Sequence, residues 1–298
     1  TMDKKELKHL ESEAWEDFLD MTCGQANLWC AQDCEPEKKN SEVMPTEPYL
    51  LGSHSGCCGM WCSGPDYDWV PDAYKWGDAG KVYNRMTTVK GLFTAGDGVG
   101  CSGHKFSSGS HGEGRIAAKS MVQYYTDHKD FSPAITPSTQ ELVDLVYKPV
   151  RIYMDNSGYT TMADINPEYL KPDQMTTRLM KATNEYGGGT ATFYQTNSAS
   201  LDVGLNLLQV IREDCEKLAA SSLHELMRCW EIIHRVWTVE SHMRHIQYRK
   251  ETRYPGFYYQ SDFPGQDDEN WFCFTNSKYD PKAGSWECFK KDYVKIIP

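Results

Sequence analysis

Thr88-Val-Lys-Gly-Leu-Phe-Thr-Ala-Gly-Asp97, continued by Gly98-Val-Gly-Cys-Ser-Gly-His-Lys-Phe-Ser-Ser-Gly-Ser-His-Gly-Glu-Gly-Arg115, is the stretch that decides the fold. The apolar residues Leu92, Phe93 and Ala95 predict a short strand ending in Gly96-Asp97. A loop of small residues follows. A helix is then expected from Gly109 to about Tyr125, with Ile116, Ala117, Met121 and Val122 on its apolar side. A carboxylate at a strand end accepts hydrogen bonds from sugar hydroxyls. A Ser/Gly run at a helix start presents free backbone N–H groups and the positive end of the helix dipole. Gly96 and Asp97, with Ser107, Ser108, Gly109 and Ser110, therefore suit a cofactor that has a polyol arm and an electron-rich ring, as a flavin does.

Two other readings compete. Strand, glycine turn and helix also form an ordinary structural unit. Gly98-Val-Gly100-Cys-Ser-Gly103 matches the dinucleotide fingerprint letter for letter. That fingerprint should open a helix within a βαβ unit, with an acidic residue about 20 residues further on. Here the helix is expected later, near Ser110, and no second strand with a terminal acid follows. The spacing Thr88-x4-Phe93-x-Ala95-Gly96-Asp97 is the more specific signal.

Composition narrows the classes. With 298 residues the chain is long enough to bury a core in one large domain or two modest ones. A net charge of −11 argues against nucleic acid as the main partner, because phosphate binding relies on clustered Lys and Arg. No apolar run approaches the roughly 18 residues of a membrane span, and the chain reads as the interior of a longer, cytoplasmic protein. The 11 cysteines include no Cys-x-x-Cys pair, so zinc and iron–sulfur spacings are absent and no metal site is expected in this chain. An odd count in a chain of this size fits reduced thiols better than a secreted disulfide scaffold. Cys57, Cys58 and Cys62 lie near the proposed site and are open to a redox role.

Four regions emerge from the pattern: a helical segment and polar linker over 1–44, a Gly/Pro/aromatic region over 45–131, a mostly helical domain over 132–253, and a C-terminal lobe over 254–298. Leu201, Leu205, Leu208, Ile211, Cys215 and Leu218 step by three and four and predict one core face. Ser222-Leu-His-Glu225 reads as a capping box. It opens a helix whose expected face is Leu226, Trp230, Ile233 and Trp237. The tail is aromatic and loop-rich.

Most histidines lie on expected helices. His54 sits instead in a Gly/Ser turn ahead of the flavin-type segment, where it can donate a hydrogen bond or a charge to an anionic substrate. A loop histidine satisfied by backbone is the alternative. His104, Lys105 and His111 flank the cofactor turn and either add positive potential there or face solvent.

The run Phe93–Lys119 resembles the flavoprotein (alpha) subunits of dissimilatory adenylylsulfate reductases, within the fumarate reductase/succinate dehydrogenase flavoprotein superfamily. Glu13-Ala-Trp-Glu-Asp-Phe-Leu-Asp-Met21, Met44-Pro-Thr-Glu-Pro-Tyr-Leu-Leu-Gly-Ser-His54, Tyr83-Asn-Arg-Met-Thr-Thr88, Tyr254-Pro-Gly-Phe-Tyr-Tyr259, Asp267-Asp-Glu-Asn-Trp271 and Asn276-Ser-Lys-Tyr-Asp-Pro281 carry the same resemblance. It implies an α+β or α/β architecture. The C-terminal portion of a fumarate-reductase-like FAD-binding fold would be followed by a helical domain and a loop-rich C-terminal lobe. It also implies non-covalent FAD and reduction of adenylylsulfate to sulfite and AMP, or the reverse, through a flavin N5–sulfite adduct. Electrons would come from a partner iron–sulfur beta subunit, which alone carries the [4Fe–4S] clusters.

By the same resemblance His54 would hold the sulfate or sulfite group. Asp97 would face the ribityl chain, and Ser107–Ser110 would lie under the ring. Gly77-Asp-Ala-Gly-Lys-Val82 looks like an insertion, and Gln260 stands where Arg is expected. Two other functions remain open: a related flavoprotein acting on a dicarboxylate, or a non-catalytic fragment that binds a partner subunit.

Overall fold

The computed structural model describes residues 33, 38, 59–65, 81–100, 107–132, 134–159, 165–253 and 259–292. The chain divides into two compact units, Thr1–Tyr49 and Leu50–Pro298, and nearly all the described residues belong to the second. The helical pattern of 1–34, the polar linker after it and the extended segment leading to His54 lie outside the described residues.

Seven helices run through the second unit among the described residues: α1 (Ser107–Asp127), α2 (Thr139–Val146), α3 (Lys148–Asn156), α4 (Pro172–Tyr186), α5 (Ser198–Asp214), α6 (Leu223–Tyr248) and the single turn α7 (Asp268–Trp271). Two short strands, β1 (Gln195–Thr196) and β2 (Tyr259–Gln260), pair in parallel. A longer antiparallel pair, β3 (Phe274–Asp280) and β4 (Ser285–Lys291), closes the C-terminal part.

The core lies among α4, α5 and α6. Met175, Leu179 and Ala182 of α4 meet Leu201, Leu208 and Ile211 of α5 and Leu226, Cys229, Ile232, Val236, Met243 and Ile246 of α6. Each large aliphatic side chain buried this way contributes about 1.5–3 kcal/mol. The stripe expected on α5 is the buried face, with Leu205 and Cys215 at its margin and Leu218 packed just past the helix end. Gly204 lets α5 approach closely: a Cβ there would stand 2.8 Å from Tyr186 Cβ and 3.0 Å from Met243 Sδ.

The helix starts follow the sequence chemistry in part. Asn197 caps α5 by accepting from Ser200 N–H, and Ser222 caps α6 by accepting from Glu225 N–H. The return half of the α6 capping box is absent. Glu225 Oε2 instead accepts from Ser221 N–H at 2.7 Å and from Lys171 Nζ at 2.5 Å, tying α6 to the start of α4. The buried face of α6 is also rotated from the expected one. Cys229, Ile232 and Val236 point inward, while Trp230 and Ile233 lie at the edge of the core. The Trp230 indole is amphipathic, and its Nε1–H donates to Val146 O of α2 at 3.1 Å.

The aromatic tail contains the β3–β4 hairpin, which the sequence pattern does not predict. Tyr279 and Trp286 pair across it and pack edge-on or tilted against Trp237 of α6, with ring centroids 4.7 and 6.3 Å away. His245 Nε2 lies 2.8 Å from Ser277 Oγ on the same face. The base of the hairpin is fixed by Glu251, which is fully buried. Its carboxylate accepts from Arg249, from Arg253 Nε at 2.6 Å and from Asp267 N–H at 2.9 Å. Burial pushes this carboxyl up, but the Arg253, Asp267 and Arg249 hydrogen bonds outweigh it and hold it below its ordinary value.

Candidate functional site

The decisive stretch forms a tight loop stacked on a helix. Residues 85–87 and 92–94 make a minimal ladder: Thr87 N–H donates to Leu92 O at 2.8 Å and Thr94 N–H to Arg85 O at 3.0 Å, flanking the single bridge Met86–Phe93. The strand expected at Leu92–Ala95 is reduced to that bridge among the described residues. The physical reason is the turn. Gly91 takes φ +78° directly before Leu92, and Gly96 takes φ +62° directly after Ala95, so only a few residues between them stay extended.

Gly96–Gly98 is a single 3₁₀ turn, closed by Val99 N–H donating to Gly96 O at 3.0 Å. Gly96 is buried and Asp97 is exposed. A Cβ on Gly96 would stand 3.0 Å from Ser110 Oγ, so the turn is seated directly on the first turn of α1. Residues 98–100 in turn pair with Met60: Met60 N–H donates to Gly98 O at 2.8 Å and Gly100 N–H to Met60 O at 3.0 Å. Gly59 makes that approach possible, since a Cβ there would lie 2.6 Å from Gly100 N.

Helix α1 begins at Ser107, earlier than the Gly109–Ser110 start expected from sequence. Ser107, Ser108, Gly109 and Ser110 therefore all belong to its first turn, the turn whose N–H groups have no intrahelical acceptor. No acidic residue occupies that turn, so its positive end is not neutralised from within. Gly96, Asp97 and Ser107–Ser110 thus come together. His54, His104 and Lys105 lie outside the described residues, and His111 is exposed on α1.

Sequence reasoning missed the side chains that clamp α1. Arg85 forms a two-pronged pair with Glu113, its Nε bonding Oε2 and its Nη2 donating to Oε1 at 3.0 Å. At the other end Asp127 accepts from Lys81 Nζ at 2.9 Å and Tyr83 Oη at 3.0 Å. Tyr124 links the two levels, edge-on to Tyr83 at 5.1 Å and stacked on His128 at 4.2 Å. Burial, and then the hydrogen bond to Asp127, push the Tyr83 phenol up to about 12. Hydrogen bonds from Gln123, Lys81 and Tyr83 hold Asp127 down at about 2. The only sequence signal for these contacts was the block Tyr83-Asn-Arg, because pairs 28 and 44 residues apart leave no periodic trace.

Gln260, at the position where Arg was expected, is fully buried in β2 between Thr196 and Thr252. Its backbone is paired, but its side-chain amide has no partner among the described residues. Cys215, Cys229, Cys273 and Cys288 are free thiols. Among the described residues no helix is long and apolar enough to cross a membrane.

The site fits a flavin on two observations: an exposed carboxylate on a glycine turn, and an acid-free helix N-terminus in van der Waals contact with that turn. Comparison with known proteins gives the fold class first. Part of the chain shares the fold of Escherichia coli quinol fumarate reductase FrdA, with a TM-score of 0.51 over 72% of this chain and 36% of that one, at 16% identity. The particular relatives are closer. The chain is 60% identical, over its whole length, to adenylylsulfate reductase subunit alpha of Megalodesulfovibrio gigas. It superposes with a TM-score of 0.84 and 49% identity on adenylylsulfate reductase from Archaeoglobus fulgidus, over 99% of this chain and 46% of that one. The same values hold for an adenosine-5-phosphosulfate reductase in complex with sulfite as a covalent adduct. The chain is therefore a homologue of adenylylsulfate reductase alpha subunits throughout its length. It spans 45% of the length of its Megalodesulfovibrio relative. No family model matches the chain.

Proposed function

We propose that this chain is the C-terminal portion of the catalytic, FAD-dependent alpha subunit of an adenylylsulfate reductase, which converts adenylylsulfate to sulfite and AMP or runs the reaction in reverse. The observation that carries this reading is the 60% identity to such a subunit over the whole length of the chain. The superposition on a reductase holding sulfite supports it further. The bound flavin would supply two-electron redox chemistry.

The chain's own residues then have definite tasks. Asp97 accepts hydrogen bonds from the hydroxyls of the polyol arm. Gly96 keeps the backbone low enough for that arm to pass. The N–H groups of Ser107, Ser108, Gly109 and Ser110, with the helix dipole behind them, offset negative charge that develops on the ring system. His104 and Lys105 add positive potential beside the turn. His54 holds the sulfate or sulfite group, as a donor or as a cation according to its protonation. A cytoplasmic setting and an iron–sulfur beta subunit as the electron partner complete the reading.

The test is spectroscopic. The full-length subunit, purified with its partner, should carry a flavin absorption band that bleaches on addition of sulfite. A flavin that ignores sulfite but is reoxidised by fumarate would instead support a dicarboxylate enzyme, and a colourless protein would support a non-catalytic fragment. In the same protein His54→Ala should retain FAD and lose most adenylylsulfate turnover; an unchanged rate rejects its role.

A further inference from the structure

Far along the sequence from the FAD-type turn, a cleft of about 500 Å³ opens between the C-terminal end of α6 and the β3–β4 hairpin. Its size is that of a small-molecule site. Arg244, Tyr248, Lys250, Trp271, Trp286 and Cys288 line it, together with Gln247, and no carboxylate is among the lining residues. That is unusual in a chain of net charge −11.

The charge on Arg244 is only partly balanced by its partner. Arg244 donates to Glu240 Oε1 through Nε at 3.0 Å and Nη2 at 2.8 Å, but the same buried carboxylate also pairs with Arg212 at 2.9 Å. Two guanidinium groups thus share one anion, and the trio keeps a net positive charge. Lys250 is exposed and has no ion-pair partner among the described residues. Lys290 adds a third cation at the margin, its Nζ 3.7 Å from the centroid of Trp271.

We propose that this cleft binds a small planar anion, an aromatic body bearing a phosphate group, for which a nucleoside monophosphate is the simplest biological example. The phosphate would lie between Arg244 and Lys250, where cations are in excess. The aromatic body would lie along Trp286 and Tyr248, both of which line the cleft. Binding here requires neither a bound flavin nor turnover.

Cys288 provides a reporter inside the cleft. Burial raises its thiol, so alkylation with iodoacetamide is followed at pH 9 in the full-length protein by mass spectrometry of the Cys288 peptide. Cys273, which does not line the cleft, is the internal control. Millimolar AMP should slow Cys288 labelling at least fivefold and leave Cys273 unchanged. Adenosine alone and inorganic phosphate alone should each slow it less than twofold. Lys250→Gln, at an exposed position that disturbs no packing, should raise the AMP concentration needed for protection about tenfold. Arg244→Gln should do the same if it folds. Absence of protection by AMP, protection by phosphate as strong as by AMP, or protection unchanged in Lys250→Gln would each overturn the proposal.

Discussion

At Gly96 the backbone takes φ +62°, and its missing side chain leaves room for Ser110. Both facts make alanine unwelcome: the left-handed region costs a non-glycine residue about 1–2 kcal/mol, and the methyl would press on Ser110 at 3.0 Å. Gly112 is the contrasting case. It lies inside α1, and a Cβ there meets nothing within 4 Å. Replacing a helix-interior glycine with alanine removes about 0.5–1 kcal/mol of backbone entropy cost. Gly96→Ala should therefore lower stability by about 1–2 kcal/mol and weaken flavin retention. Gly112→Ala should raise stability by about 0.5–1 kcal/mol. Urea unfolding of the two variants side by side checks both signs. Equal effects would mean that the turn at Gly96 is not as tightly set as its contact with Ser110 implies.

At the scale of elements, α1 is held by ion pairs rather than by a deep apolar face. Glu113 is nearly buried, and its charge is compensated by Arg85, itself in a left-handed conformation at φ +71°. Removing one partner of such a pair strands a charge and costs about 3–5 kcal/mol, whereas replacing both with apolar groups is often close to neutral. Arg85→Leu should sit near the lower end of that range and speed amide hydrogen exchange in the first turns of α1. Adding Glu113→Met should recover most of the loss, and a double-mutant cycle by urea unfolding measures the coupling. Elements of this kind are poorly legible in the sequence. The helices of the α4–α6 core are legible because Leu201, Leu208 and Ile211 repeat at helical spacing. The face of α6 is misread by about one position because Trp230 and Trp237 look apolar in a sequence but seek a mixed environment. Trp230 donates to Val146 O, and Trp237 lies under Arg212 at 4.9 Å and against the hairpin. The hairpin leaves no trace, since Thr275, Asn276, Ser277 and Lys278 show no apolar alternation and its partner surface on α6 is some 40 residues upstream in sequence.

For the molecule as a whole, the core is readable from local periodicity and the glycine turn before α1 from a motif, but the contacts that join distant segments are not. Arg85 to Glu113, Tyr83 to Asp127, Lys171 to Glu225 and Arg212 to Glu240 are all charged or polar pairs set by tertiary proximity. Those same contacts govern how stability responds to pH. On the acid side, His245 is held below its ordinary value by burial and by the nearby His242 and Arg249. Its folded form resists a proton that the unfolded chain accepts at about 6.5, so stability falls as pH drops below that value. Asp127, held at about 2 by its hydrogen bonds, adds a second loss as pH falls from about 4 toward 2. On the alkaline side the sign reverses. The Tyr83 phenol stays neutral up to about 12 in the folded protein but ionises near 10 when unfolded, so its stabilisation is present below pH 10 and is lost between 10 and 12. The thiols of half-buried Cys215 and buried Cys229, raised to about 11 and about 12 chiefly by desolvation, lose stability in overlapping ranges. Tyr83→Phe keeps the ring contacts with Tyr124 and His128 but removes the hydroxyl. At pH 8 it should cost about 1 kcal/mol, the worth of one ordinary hydrogen bond. Between pH 10 and 12 the variant should lose stability less steeply than the parent, so the gap between them narrows or reverses. Parallel urea titrations at pH 8, 10 and 11 measure that gap, and a constant difference across all three would show that Tyr83 does not carry the alkaline limb.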